Sequence, residues 1–485
     1  MLAQTLLEAG NLPGANIIIM RAISERDDVA DYYVLQGRIN LALKKNDAAL
    51  QSYSQALDLD ASNVDALTQF ALLNAQYGQT QAANDAADRL LVLQPQSLVG
   101  HQVKALAALT RNRFADATEY ADKALALAPG DEGASAIKAR ILAKQGKIPE
   151  ARALIDTALI SKGETPLLLT TLLNINRKAG DAQKMVANYQ RLMPIVEDDL
   201  DAQVDYANFL YKTGKADTAR PISARVLAIP TVTSAQAEQV FRMWSEYDSD
   251  PLDAKTQRAI GASPNLPVVR ATLRTLLLNG LPDAALGVMN AVPADKSQGI
   301  SAIRAQALYA KGDISGAKSL MLQALREDKN NPDALLLRGM MELRFRNTPK
   351  AIVDLQSVIS DDPLNPAAYD SLAKAFAAQR RQWRSRQLYE EALQKMPQNL
   401  FLLKQYLQFL HSSGDNSRAM NVARQFTRTS PASVRAWSEF AAQCRANNDA
   451  SCLREAQAGN ATAATLFALD DPPGVSSRRG LFGKI

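Results

Sequence analysis

Apolar residues recur three and four positions apart along the whole chain, in stretches of about a dozen residues separated by short polar or glycine-bearing turns. That period predicts helices throughout and an all-α fold. Displaced by 34 positions, the sequence falls into register with itself. Ala71, Ala105, Ala139, Ala207, Ala305 and Ala373 share one phase with Gly37 and Gly339. Ala49, Ala83, Ala117, Ala151, Ala219, Ala317, Ala351 and Ala419 share a second. Small side chains at both phases predict antiparallel helix pairs in close approach, where a larger residue costs about 1–3 kcal/mol by overpacking. Pro95, Pro129, Pro363, Pro397 and Pro431 mark the end of each unit, because proline cannot continue a helix. Gly10, Gly146, Gly180, Gly214, Gly280, Gly312 and Gly414 mark the turn inside it.

The phasing predicts units at 30–63, 64–97, 98–131, 132–165, 166–199 and 200–233, then 298–331, 332–365, 366–399, 400–433 and 434 to about 458, with a shorter one at 266–297. Residues 1–233 therefore read as an N-terminal array with an incomplete first repeat, 234–265 as a degenerate repeat or hinge, and 266–458 as a C-terminal array. Residues 459–485 read as a capping helix and a flexible tail. Gly10, Ala15 and Ala22 hold repeat phases that put Met1 about four residues inside a unit. An upstream export leader, lipoprotein signal or membrane anchor is expected from this.

Charge and chemistry narrow the function classes. The 55 basic and 50 acidic residues are interspersed and leave a net charge of +5, without the dense basic block that nucleic acid would require. No apolar run reaches the length of a membrane span. The two histidines, His101 and His411, are far apart, and no phosphate-binding loop, dinucleotide turn or zinc-protease motif is present. No enzyme activity, cofactor or metal is expected. Cys444 and Cys452 both fall in the last repeat. They read either as a disulfide stapling that repeat, which implies an oxidising compartment, or as two small buried hydrophobes.

The small-residue and proline columns, with Tyr53, Tyr189, Tyr389 and Trp437 at aromatic places, resemble the tetratricopeptide repeat over nearly the whole chain. The resemblance implies a right-handed superhelical solenoid whose inner wall is lined by the first helix of each pair. It also implies that the ninth and thirteenth phases face the groove. Those phases hold Arg140, Asn174 and Asn208, and Lys144, Lys178 and Lys212, with Arg177 and Tyr211 on the same wall. The expected partner is a protein or peptide, acidic in character, with membrane contact only through a missing anchor or through that partner. Arg344, Lys374, Gln408 and Arg445 form a second candidate wall. In style the chain resembles bacterial envelope proteins of polysaccharide synthesis and export or pilus assembly, which implies an adaptor of the periplasm or cell envelope. A structural subunit using its convex face and a cytoplasmic co-chaperone-like adaptor are the alternatives.

Overall fold

The computed structural model describes residues 1–248 and 252–467. Among the described residues it holds 28 α-helices in antiparallel pairs, one short 3-10 helix at Ala294–Ile300, and no strand. The pair Val64–Gln76 and Thr80–Leu93, with 13 and 14 residues, is typical. Pair after pair begins and ends where the 34-residue phasing places it.

Three columns of residues account for that regularity. A capping residue precedes almost every first helix: Asn63 accepts the amide of Ala66 at 2.9 Å, Asp131 that of Ala134 at 2.8 Å, Asn331 that of Ala334 at 3.0 Å and Ser433 that of Ala436 at 3.0 Å. Each such cap stabilises its helix by about 1 kcal/mol. The turn between paired helices takes a residue of positive φ, at Gly146 (83°) and Gly214 (76°), but also at Lys44 (58°), Asn112 (55°), Arg346 (63°), Arg380 (60°) and Asn448 (52°). The side chains of these five do not prevent the left-handed turn; they make it cost about 1 kcal/mol more. The alanine columns are buried throughout. Opposite them lie the large side chains of the second helix. A Cβ on Gly37 would come within 2.6 Å of the Tyr53 ring, and one on Gly339 within 2.7 Å of Leu355.

The described residues form two compact units, Met1–Ile195 and a second beginning at Val196. The boundary lies ahead of the 234–265 segment, which the sequence marked as the irregular one. The preceding helix, Ala182–Leu192, runs 11 residues, and Pro194 follows it. Segment 234–265 holds Ser234–Tyr247 and Ala254–Gly261. The longer helix packs beside the first helices of its two neighbours, and the shorter one beside their second helices. It is thus a repeat whose second helix is cut to 8 residues, and Trp244, fully buried, fills its core. Residues 249–251 of the break predicted there lie outside the described residues. So do 468–485 of the predicted tail; residues 459–465 are the end of the helix Ala450–Thr465. No helix among the described residues is long and apolar enough to cross a membrane.

Candidate functional site

In the first unit, Lys144 and Lys178 end their helices at matched positions, both exposed. Neither makes a hydrogen bond or ion pair among the described residues. Asn174 is exposed and accepts from Arg177 Nη1 at 2.6 Å, while Arg177 Nη2 donates to the Tyr189 hydroxyl at 2.9 Å. Arg140 is half-buried, and burial pushes its guanidinium pKa down. Of the expected wall, this unit therefore presents two free ammonium groups and one ordered Asn–Arg pair.

The second unit corrects the rest. Asn208 is 0% exposed, and neither of its amide atoms has a hydrogen-bond partner. Tyr211 is a core residue: its ring stacks on Tyr247 at 6.0 Å, its hydroxyl donates to Asp248 at 3.1 Å, and burial raises its pKa. Lys212 donates to the carbonyls of Ala432 at 3.0 Å and Ala463 at 3.4 Å, and to that of Leu466. The reasons differ: Tyr211 is covered by Tyr247 and Asp248 of the next repeat, whereas Lys212 is covered by chain more than two hundred residues away, where the first repeats of this unit meet its last.

Lys212 belongs to a clasp built on helix dipoles. Its ammonium meets the carbonyl end of Ala450–Thr465, where the dipole favours a cation. Glu246 meets the amino end of Val434–Ala446, accepting from the Arg435 amide at 2.7 Å and the Ser433 hydroxyl at 2.7 Å, where the dipole favours an anion. Arg435 returns a bond to the Ser245 carbonyl at 2.6 Å, Arg242 donates to Gln398, and Phe209 packs on Phe467 at 5.5 Å. In the second candidate wall, Lys374 is held by Asp370 at 2.7 Å and Gln405 at 3.0 Å, and Arg344 lies 5.9 Å over the Tyr309 ring. Cys444 and Cys452, both buried, are bonded, with their Cα atoms 5.4 Å apart.

The sequence reading missed a cleft in the first unit. It has a volume of about 630 Å³ and is lined by Val34, Arg38 and Leu41, by Asp65, Thr68 and Gln69 on the next first helix, and by Leu7 and Tyr53. Tyr53 is 0% exposed, its hydroxyl has no partner, and burial pushes its pKa up to about 12. Its signal was present in the sequence: Arg38 holds the same ninth phase as Arg140, beside the glycine that admits the Tyr53 ring.

Models of the tetratricopeptide repeat match residues 1–64 and 304–359, and a further one matches 108–172. Cellulose synthase operon protein C of Xanthomonas axonopodis pv. citri (strain 306) is 26% identical over 255 residues, which are 52% of this chain and 15% of that protein. The chain thus corresponds to a small part of that relative's length. A solved tetratricopeptide repeat protein from Parabacteroides merdae ATCC 43184 aligns with a TM-score of 0.43 at 16% identity, covering 49% of this chain and 94% of its own. Pseudomonas aeruginosa pilF aligns with a TM-score of 0.34 at 19% identity, covering 42% of this chain and 92% of its own. Tetratricopeptide-repeat models thus match three segments of the chain, and helix pairs with similar caps and small-residue columns continue through the rest of the described, all-helical, tetratricopeptide-like solenoid.

Proposed function

We propose that this protein-interaction scaffold docks an acidic partner on the first-helix face of its first unit, within a bacterial envelope assembly for polysaccharide synthesis or export. The observation that carries the docking reading is the pair Lys144 and Lys178, one repeat apart, exposed and unpaired among the described residues beside the ordered Asn174–Arg177 pair. Ammonium groups at matched positions of consecutive repeats suit carboxylates spaced along an extended segment. The envelope setting draws support from the name of the cellulose synthase operon relative and from the Cys444–Cys452 bond, which persists in oxidising compartments. The repeat fold is generally a non-catalytic scaffold, and catalysis falls to whatever it holds.

The test is crosslinking in the native cell with the intact chain and with a double Lys144→Glu, Lys178→Glu variant, partners being identified by mass spectrometry. The variant should lose the main partner while its melting temperature stays within experimental error, and the intact complex should weaken with salt. An unchanged partner set removes this face from consideration.

A further inference from the structure

We infer that two neighbouring turns of the second unit, residues 344–350 and 379–384, dock on the surface of an anionic phospholipid bilayer. The turns join the helix pairs of consecutive repeats and lie side by side, Gln379 Nε2 donating to Thr348 Oγ1 at 3.2 Å. Each holds a large aromatic ring in solvent, Phe345 and Trp383, both 67% exposed. Arg344, Arg346, Arg380 and Arg381 share the turns with them, all exposed and none in an ion pair among the described residues. The nearest carboxylate in sequence, Glu342, is already held by Lys350 at 2.6 Å and by Asn347 at 2.8 Å. The edge therefore presents aromatic rings and uncompensated positive charge together. At the same phase one repeat before and one repeat after, Gly312 and Gly414 take the left-handed turn, whereas Arg346 and Arg380 take it at φ 63° and 60°. The turn itself gains nothing from a side chain there, and guanidinium groups without a partner in the fold are left for one outside it.

A lipid headgroup layer is the complement of this edge. Guanidinium groups pair with phosphate through two parallel hydrogen bonds, and aromatic rings, tryptophan above all, settle at the boundary between headgroups and acyl chains. The rings stand on turns, outside any groove lined by helices, so they suit a broad surface better than an extended chain. Arginine beside tryptophan also suits single-stranded nucleic acid. The Cys444–Cys452 bond of the same unit argues against that occupant, because such a bond persists in oxidising compartments, away from the cell's nucleic acid. Two rings and four cations hold a bilayer from its surface, reversibly. It is a membrane contact made by the repeats themselves, where the sequence pattern led us to expect one only through an anchor or a partner. It goes beyond the docking of an acidic partner on the first unit and does not depend on it.

The experiment uses the full chain, with co-sedimentation on vesicles of phosphatidylcholine alone or with about one-third phosphatidylglycerol, and tryptophan emission recorded alongside. The anionic vesicles should bind at least about tenfold more tightly than the zwitterionic ones and release the chain at high salt. They should also shift the emission of exposed Trp383 to the blue, Trp244 being buried already. Arg346→Gly with Arg380→Gly removes two cations and eases both turns, so binding should weaken about thirtyfold while the melting temperature is unchanged or higher. Trp383→Ala should weaken binding about tenfold and Trp383→Phe much less, although both abolish the shift. The inference is overturned if the two kinds of vesicle bind equally, if the double glycine variant binds like the parent, or if these residues take up single-stranded DNA or a poly-glutamate peptide and no vesicle. Anionic vesicles left unbound, while Lys144→Glu with Lys178→Glu still abolishes the cellular partner, would sink this inference and leave the proposed function standing.

Discussion

The two units carry similar side chains at the same repeat phases and use them in opposite ways. At the ninth phase of one first helix, Arg38 in the first unit has no ion pair among the described residues. Arg274 in the second unit bridges Asp333 at 2.8 Å and Asp362 at 3.1 Å. At the thirteenth phase, Lys144 and Lys178 end in solvent, whereas Lys212 is held by carbonyls at the end of its unit. The repeat pattern sets where a side chain leaves its helix. What that side chain meets is set by how far the unit curves, and curvature accumulates from small rotations between neighbours. The same ladder of residues is therefore exposed to solvent where the wall is open and an internal clasp where the wall closes.

The largest effect that would break this comparison is expected at Lys212. Lys212→Glu places an anion against the carbonyl end of Ala450–Thr465 and leaves that end without its cation, which should destabilise the second unit by about 3 kcal/mol. Lys178→Glu, exposed at the same phase, should change stability by less than about 0.5 kcal/mol. Denaturant unfolding gives the totals. Hydrogen exchange should localise the Lys212 effect to residues 434–465. Equal effects from the two substitutions would mean that the clasp contributes nothing.

A smaller contrast separates two asparagines of one column. Asn208 is sealed in the core with both amide atoms unpaired, and Asn174 is exposed. Leucine is nearly isosteric with asparagine. Asn208→Leu should thus stabilise the chain by about 1–2 kcal/mol by removing an unsatisfied amide, while Asn174→Leu should stay within about 0.5 kcal/mol of the parent. A destabilised Asn208→Leu, seen as a lower melting temperature, would show that this amide has a partner after all.

The sequence made the repeat legible because each helix pair contacts mainly its neighbours, so alanine, glycine and proline columns return at a fixed interval. The phasing marked the repeat but missed the column of caps, Asn63 through Ser433, although Ser, Thr, Asn and Asp before most first helices were on view. It took the turn column for glycine alone, where Lys44 and Arg380 adopt the same conformation. For the wall, exposure was inferred from phase. That holds for Lys144 and Lys178. It fails for Lys212, which donates to the carbonyl of Leu466, 254 positions away, because no local period encodes the meeting of two distant repeats.

The finest distinction is in acid response. Burial raises the Glu246 pKa above the ordinary glutamate value, more than the Arg435 amide and Ser433 hydroxyl lower it. A carboxyl whose pKa is higher in the folded state binds its proton more tightly there, so its contribution to stability is fullest below the ordinary value and falls as pH rises through the raised one. In the same unit Glu327, Glu342 and Glu391 are lowered, chiefly by hydrogen bonds from Gln298, Lys350 and Lys395 respectively. Their contributions are present above the ordinary value and lost as pH falls through their lowered pKa values. The two windows do not overlap. Acidification from neutral should first raise the protection factors of Val434–Ala446 slightly, measured against the intrinsic exchange rate at each pH, as Glu246 takes up its proton, and only at lower pH lower them. Glu246→Gln should abolish the first phase and keep the second, with the protection factors of the first unit's helices unaltered across the upper window. If the parent and Glu246→Gln give the same profile, the carboxylate sits in water rather than on the helix end, and the second unit is as open as the first.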